Sequence, residues 1–476
     1  MSARPANPST AFFAAIDQAP MTWRHYELWL VASGGAFLDG FSVVSLGLGL
    51  PLLKHDFALS PLIVGLMGSA LVLGAAASAW LGGVLADRLG RKRVMMLDMA
   101  TIAAAALLGA FAPQPWLLVV AQFLTGVGVG ADFPTSSSYV SEMMPRAARS
   151  RMTVATIAMQ SVGMFVAALA GMLVLTFHPD VHDWRLLLGA GGVLALAFLV
   201  GRARAPESVR WLVSKGRIEE ARALLTKLTR EFHEPERAAP APEAPAAQPG
   251  VATPPAQQGA GLRTLFGARF RAQTLLASLP WMLMDVATYG VGLFTPVILG
   301  ALHFGGAGSG PVAADVADAQ GSAVVDLFLL IGFLASLWAV PAFGRIPMQV
   351  AGFCGMAVGM ALLLFAAVAN DGANAHMGFI IAGFVLFNFS MNVGPNATTF
   401  TLAPALFPTA IRASASGFAA AAAKVGATFG TFVVPQLQAA WGLDGVVALM
   451  TLVSIAGLIA TAVLAHAVNE EGALVE

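Results

Sequence analysis

The chain has 476 residues, 57% of them hydrophobic and only 11% charged, with a mean hydropathy of +0.76. Soluble domains carry about 25% charged residues, so too little charge is present to solvate a globular surface, and a soluble protein is excluded. Acidic and basic residues balance at 26 each, which removes the basic excess that binding to nucleic-acid phosphates needs, and the lone Cys354 and eight histidines show no metal-ligand spacing.

A helix must supply about 20 mostly apolar residues to cross the hydrocarbon core. Twelve such runs lie between charge clusters: 26–53, 62–86, 94–113, 115–141, 152–177, 184–201, 272–302, 322–343, 347–370, 376–405, 411–438 and 442–466. This predicts an all-α, multi-pass membrane protein embedded in a lipid bilayer. Residues 1–20 lack a basic start running into a short apolar core, so no cleavable signal peptide is expected. With an inside start, only Lys54 and Arg185 of the 26 basic residues fall in or beside outer loops, and the positive-inside rule then places both termini in the cytoplasm. Short loops suit a cell inner (plasma) membrane.

Residues 203–271 break the hydrophobic pattern. An amphipathic, charged stretch from Glu207 to Phe232 reads as a surface helix, and the Pro/Ala-rich segment around Pro235 to Pro255 as an extended connector. The break separates six spans from six, giving an N-terminal bundle (1–202), a cytoplasmic loop (203–271) and a C-terminal bundle (272–476). Pro145-Arg146-Ala147-Ala148-Arg149 after span 4 and Pro408-Thr409-Ala410-Ile411-Arg412 after span 10 repeat the pattern P-x-x-x-R at corresponding places, which supports duplicated halves.

Ionisable groups within spans are costly and usually face a cavity. Mid-span positions give Asp39, Asp132, Asp285 and Lys424. Asp98 and Glu142 lie nearer the cytoplasmic edges, where pairing with loop arginines explains them. Carboxyl groups at membrane depth can exchange protons near neutral pH unless a cation holds them charged, as a proton-coupled carrier requires. Trp281, Asp285 and Tyr289 follow one another at intervals of four residues, so an indole, a carboxyl and a phenol share one helix face. Gln160 and Asn396 add neutral hydrogen-bonding groups at membrane depth. Ser136, Ser137 and Ser138 can bond back to their own helix carbonyls and are left out of the site. All four charged residues are expected to meet in one wet chamber.

The segment Gly83-Val84-Leu85-Ala86-Asp87-Arg88-Leu89-Gly90-Arg91-Lys92 resembles the loop signature of the major facilitator superfamily. That resemblance covers nearly the whole chain. It implies two pseudo-symmetric six-helix bundles around a central cavity that rocks between inward-open and outward-open states, with Asp87, Arg88, Arg91, Arg149 and Arg412 as gating-loop residues. Pro206-Glu207-Ser208-Val209-Arg210-Trp211-Leu212 looks like the sugar-porter-type motif shared by several branches. Gly130-Ala131-Asp132-Phe133-Pro134, Gly394-Pro395-Asn396-Ala397-Thr398-Thr399-Phe400, Phe407-Pro408-Thr409 and Lys424-Val425-Gly426 resemble the phosphate:proton symporter branch. The resemblance implies that Asp132, Gln160, Trp281, Asp285, Tyr289, Asn396 and Lys424 surround phosphate and that Asp39 belongs to the proton path; Asp132 is expected to carry the proton with Asp39, and Asp285 to be protonated when the anion binds.

Three positions depart from that branch. Phe133 stands where a tyrosine is usual, removing a hydroxyl donor worth about 1 kcal/mol or more to a buried ligand. Ala405 replaces a glutamate before Phe407-Pro408, and Phe343-Gly344-Arg345 lacks the aspartate of the loop signature. The expected protein is therefore a monomeric, cofactor-free importer of inorganic phosphate with protons. A carrier of a small organic acid or another oxyanion is the alternative, and a non-transporting nutrient sensor a second one. No nucleophile and base pair, metal-ligand set or phosphate-cradling loop after a strand points to an enzyme.

Overall fold

The computed structural model describes residues 16–178, 180–232, 262–301, 311–368, 377–407 and 409–470. The Pro/Ala-rich connector around 235–255 and Pro408 lie outside the described residues, as does the Arg412 side chain. In chain order the helices are α1 (Trp23–Ala32), α2 (Gly34–Phe57), α3 (Pro61–Leu89), α4 (Arg91–Ala110), α5 (Pro115–Met143), α6 (Arg146–Phe177), α7 (Trp184–Arg204), α8 (Val209–Ser214) and α9 (Ile218–Phe232). There follow α10 (Leu262–Leu265), α11 (Arg271–Ala301), α12 (Pro311–Phe343), α13 (Arg345–Val368), α14 (Met377–Val393), α15 (Pro395–Leu406) and α16 (Thr409–Glu470).

Among the described residues, ten helical segments are long and apolar enough to cross a membrane. The last of these bends at Gly442, whose φ of 71° interrupts α16, and α11 adds a further 31-residue helix. Twelve long helices thus stand where the hydropathy places twelve spans. Two boundaries differ. The first span starts at Gly34 rather than residue 26, because the chain breaks at Ser33 into the separate helix α1. The tenth is divided at Gly394, where Pro395 has no N–H to continue the ladder and opens α15.

Prolines and glycines set the ends. Ser60 accepts a hydrogen bond from the Ile63 N–H at 3.4 Å and Pro61 occupies the first turn of α3, while Pro115 opens α5 in the same way. Gly90 (φ 102°) and Gly344 (φ 87°) make the α3–α4 and α12–α13 turns at corresponding places in the two halves, a backbone conformation that side chains disfavour.

In the first half α3 packs on α5, α4 on α5 and α7, and α2 on α6 and α7; in the second, α11 packs on α16, and α14 on α12 and α13. Among the described residues the main contacts that join the halves are α3 with α16, α6 with α12, and α2 with α11 and α12. The amphipathic helix α9 buries Ala221, Leu225 and Leu228 against Tyr139, Met144 and Trp211, as its helical spacing predicts.

Candidate functional site

Small residues bring the polar side chains together. A Cβ on Gly426 of α16 would lie 2.1 Å from the Met282 carbonyl oxygen of α11, and one on Gly430 would lie 2.3 Å from that of Val286. These glycines let the two backbones touch, and the same approach carries Lys424 to Tyr289. Across the molecule, a Cβ on Gly40 of α2 would lie 2.0 Å from the Gln160 carbonyl oxygen of α6, so Asp39 and Gln160 are held together likewise.

The result is one connected network between the halves. The Lys424 Nζ donates to the Tyr289 hydroxyl at 2.8 Å and lies 4.6 Å from the centroid of its ring. Gln160 Nε2 donates to Asp39 Oδ2 at 2.7 Å and to the same Tyr289 hydroxyl at 3.3 Å. Asp285 is buried one turn before Tyr289 and one turn after Trp281, with Lys424 and Asp39 as its charged neighbours. Among the described residues Lys424 makes no ion pair within 4.0 Å. Its charge meets only a neutral phenol at bonding distance.

At the far end from the Gly83–Lys92 turn, a Cβ on Gly65 of α3 would lie 2.8 Å from the Phe432 carbonyl oxygen of α16, and one on Gly68 would lie 2.5 Å from Leu293, so the halves are closed there. Towards the near end, Trp281 meets Phe400 edge-on at 6.1 Å and Phe400 meets Phe133 at 5.9 Å. This aromatic trio also spans the two halves.

Asp132 takes a different place from the shared chamber that the sequence predicts. Its Oδ1 lies 2.6 Å from Arg202 Nη1, which is also 2.8 Å from Asp98 Oδ1. Arg202 is wholly enclosed, and its other donors reach the carbonyls of Val31 (3.0 Å), Ala32 (2.8 Å) and Met95 (2.7 Å). A buried carboxylate is retained where a guanidinium with all its donors satisfied stands beside it. Gly35 makes room, since a Cβ there would lie 1.7 Å from Asp132 Oδ2. Two carboxyls share one cation, and Asp98 Oδ2 has no hydrogen-bond partner.

Asn396 donates to Asn392 Oδ1 at 2.8 Å, across the α14–α15 break. Ser137 and Ser138 bond back to the carbonyls of Phe133 (2.6 Å) and Pro134 (2.7 Å), whereas Ser136 instead donates to Asp132 Oδ1 at 2.7 Å. Of the expected substrate residues, the structure therefore gathers Gln160, Trp281, Asp285, Tyr289 and Lys424 around Asp39. It sets Asp132 in a separate pair and Asn396 against Asn392.

The near-end loops form a second charged cluster. Arg91 Nη2 lies 3.0 Å from both Asp87 and Glu142, and Glu207 accepts the backbone N–H groups of Arg91 (3.0 Å) and Lys92 (3.2 Å). Arg149 pairs with Asp17, which also meets Arg210 at 2.6 Å. Arg88 is exposed and makes no ion pair among the described residues. Arg345, at the corresponding turn of the second half, is likewise exposed and unpaired among them, as expected where the signature aspartate is missing. Arg202, Asp17 and Asp326 escape the sequence reading. Arg202 lies within three residues of the end of α7 and reads as a loop charge, Asp17 precedes the first span, and Asp326 sits just inside the assigned edge of the eighth.

The profile of the family described as "Sugar (and other) transporter" matches residues 22–470. The chain is 28% identical over 444 residues to a niacin transporter of Acinetobacter baylyi, covering 93% of this chain and 94% of that one. It is 27% identical over 472 residues to a repressible high-affinity phosphate permease of Neurospora crassa, covering 91% and 81%. The xylose transporter XylE of E. coli, in a partially occluded inward-open conformation, superposes with a TM-score of 0.69 at 19% identity over 92% of this chain and 97% of that one. That likeness establishes the major facilitator fold, with its two six-helix bundles, and the profile match across almost the entire length makes this chain a member of the sugar (and other) transporter family.

Proposed function

We propose that this transporter moves a small anion together with protons by alternating access, and that the anion is inorganic phosphate. The observation that carries the reading is Lys424: an ammonium at membrane depth, placed between the halves, which among the described residues has no carboxylate at ion-pair distance and bonds the Tyr289 hydroxyl. A desolvated cation of this kind is stabilised by an anion that bonds it directly. Gln160, Tyr289 and Trp281 supply neutral donors around the same point.

Asp285 and Asp39 are the second half of the argument. Their negative charge would repel an anion strongly where the dielectric constant is low, so the anion enters when Asp285 is the neutral acid. Substrate and proton then occupy one site, and neither is released without the other. Asp132 takes part from its pair with Arg202, whose guanidinium also holds Asp98. The ion pairs around Arg91, Glu142 and Glu207 tie the loops at the near end and are remade as that end opens and closes. We place the protein as a monomer in the inner membrane with both termini in the cytoplasm.

A small organic acid is the second reading. Phe133 favours it, because its ring makes an apolar edge with Phe400 where the phosphate branch carries a hydroxyl, and the niacin transporter shows that a relative of similar identity carries a different cargo. Uptake of labelled phosphate into proteoliposomes with an imposed pH gradient separates these readings. Phosphate is expected to enter faster with the gradient and to resist competition by nicotinate. Entry at equal rates with and without the gradient would rule out coupling, and no phosphate entry would rule out the substrate.

A further inference from the structure

Asp326 belongs neither to the network around Lys424 nor to the Arg202 pair. It lies in α12 and is only 4% exposed. Among the described residues it has no hydrogen bond and no ion pair. Among the described residues the other buried aspartates differ: Asp98 and Asp132 meet Arg202, Asp183 meets His178, and Asp285 has Lys424 and Asp39 as charged neighbours.

The charged and titratable groups on the surrounding helices do not change this. In α6, Arg146, Arg149 and Arg151 occupy the first two turns, with His178 just past the other end; α11 carries Arg271, Asp285 and Tyr289. Asp39, Lys54, His55 and Asp56 lie on α2, Arg345 and Cys354 on α13, while α14 and α15 carry none. None of them bonds or pairs with Asp326. An isolated carboxylate at membrane depth has nothing to replace its lost hydration, so a carboxyl in this setting is the neutral acid.

Its position gives the proton a path. Measured back from the Gly344 turn at 1.5 Å per residue, Asp326 lies roughly 27 Å along α12, in the end of the bundle where α3 closes on α16. Along its length α12 packs against α6 of the other half and α14 of its own. We propose that Asp326 is a proton-binding site, loaded when the seam between α6 and α12 opens to water and sealed in neutral form when that seam closes. This inference does not depend on which anion is carried.

Two measurements without substrate test it. In infrared difference spectra of the reconstituted protein, a carboxylic-acid carbonyl band that titrates with pH is expected in the wild type and absent from Asp326→Asn. Spin labels at Phe177 and Gln320, in a Cys354→Ser background, should report an α6–α12 distance that grows as pH rises. In Asp326→Asn, an isosteric mimic of the neutral acid, the short distance should persist at every pH. Asp326→Leu, which folds only if the site tolerates an apolar group, should show the same locked distance. An unchanged band and an unchanged distance profile in Asp326→Asn would overturn the proposal. Loss of the band on adding sodium at constant pH would overturn the proton as its ligand.

Discussion

Replacing Tyr289 with phenylalanine isolates one hydroxyl at the centre of the proposed site. The ring stays, and with it the contact between the Lys424 ammonium and the aromatic face at 4.6 Å. What disappears is the acceptor that holds Lys424 at 2.8 Å and the oxygen that Gln160 reaches at 3.3 Å. A hydrogen bond to a charged group is worth about 1.5–3 kcal/mol, and each 1.4 kcal/mol is about tenfold in an equilibrium or rate ratio. Tyr289→Phe should therefore lower kcat/KM for gradient-driven phosphate uptake by about 10- to 150-fold. Its thermal midpoint in detergent should stay close to that of the wild type, because the ring volume is preserved. Uptake within threefold of the wild type would refute the reasoning, since the phenol would then be a spectator. An equal loss of stability and uptake would make Tyr289 a packing residue and not a ligand.

Other expected outcomes are as specific. Arg202→Met leaves Asp98 and Asp132 buried without their cation, a change that costs about 3–5 kcal/mol in such pairs; thermal unfolding in detergent should show a large drop, and an unchanged midpoint would remove the triad from the account. Gly426→Ala, whose Cβ would meet the Met282 carbonyl at 2.1 Å, should push α16 from α11 and abolish uptake, while Gly417→Ala, with nothing within 4 Å, should leave uptake intact. Phe133→Tyr restores a hydroxyl beside Phe400 and should shift competition towards phosphate over nicotinate by up to about tenfold; no shift would show that this position does not choose the cargo.

The membrane requirement made the architecture legible: a stretch must stay apolar for about 20 residues to cross, so the twelve spans are written directly in the composition. Charges within them were legible for the same reason, and Asp39, Asp285 and Lys424 do lie in one network. Their partners were not. The Arg202 pair joins residues 70 and 104 positions apart, and Arg202 sits so near a helix end that hydropathy counts it with the loops. Its grip on the carbonyls of Val31 and Ala32 also explains why the first span begins at Gly34. Asn396 meets Asn392 four residues earlier, a pairing open to the same helix-face reading as Trp281, Asp285 and Tyr289. Asp326 was hidden by its closeness to the assigned edge of a span.

The central claim is that anion and proton share one site. It is tested most directly by proton uptake on ligand binding, followed with a pH indicator as phosphate is added to purified protein in weakly buffered detergent. The wild type should take up protons in proportion to the phosphate bound, and Asp285→Asn should bind phosphate with that uptake reduced. Phosphate binding with identical proton uptake in both proteins would contradict the account.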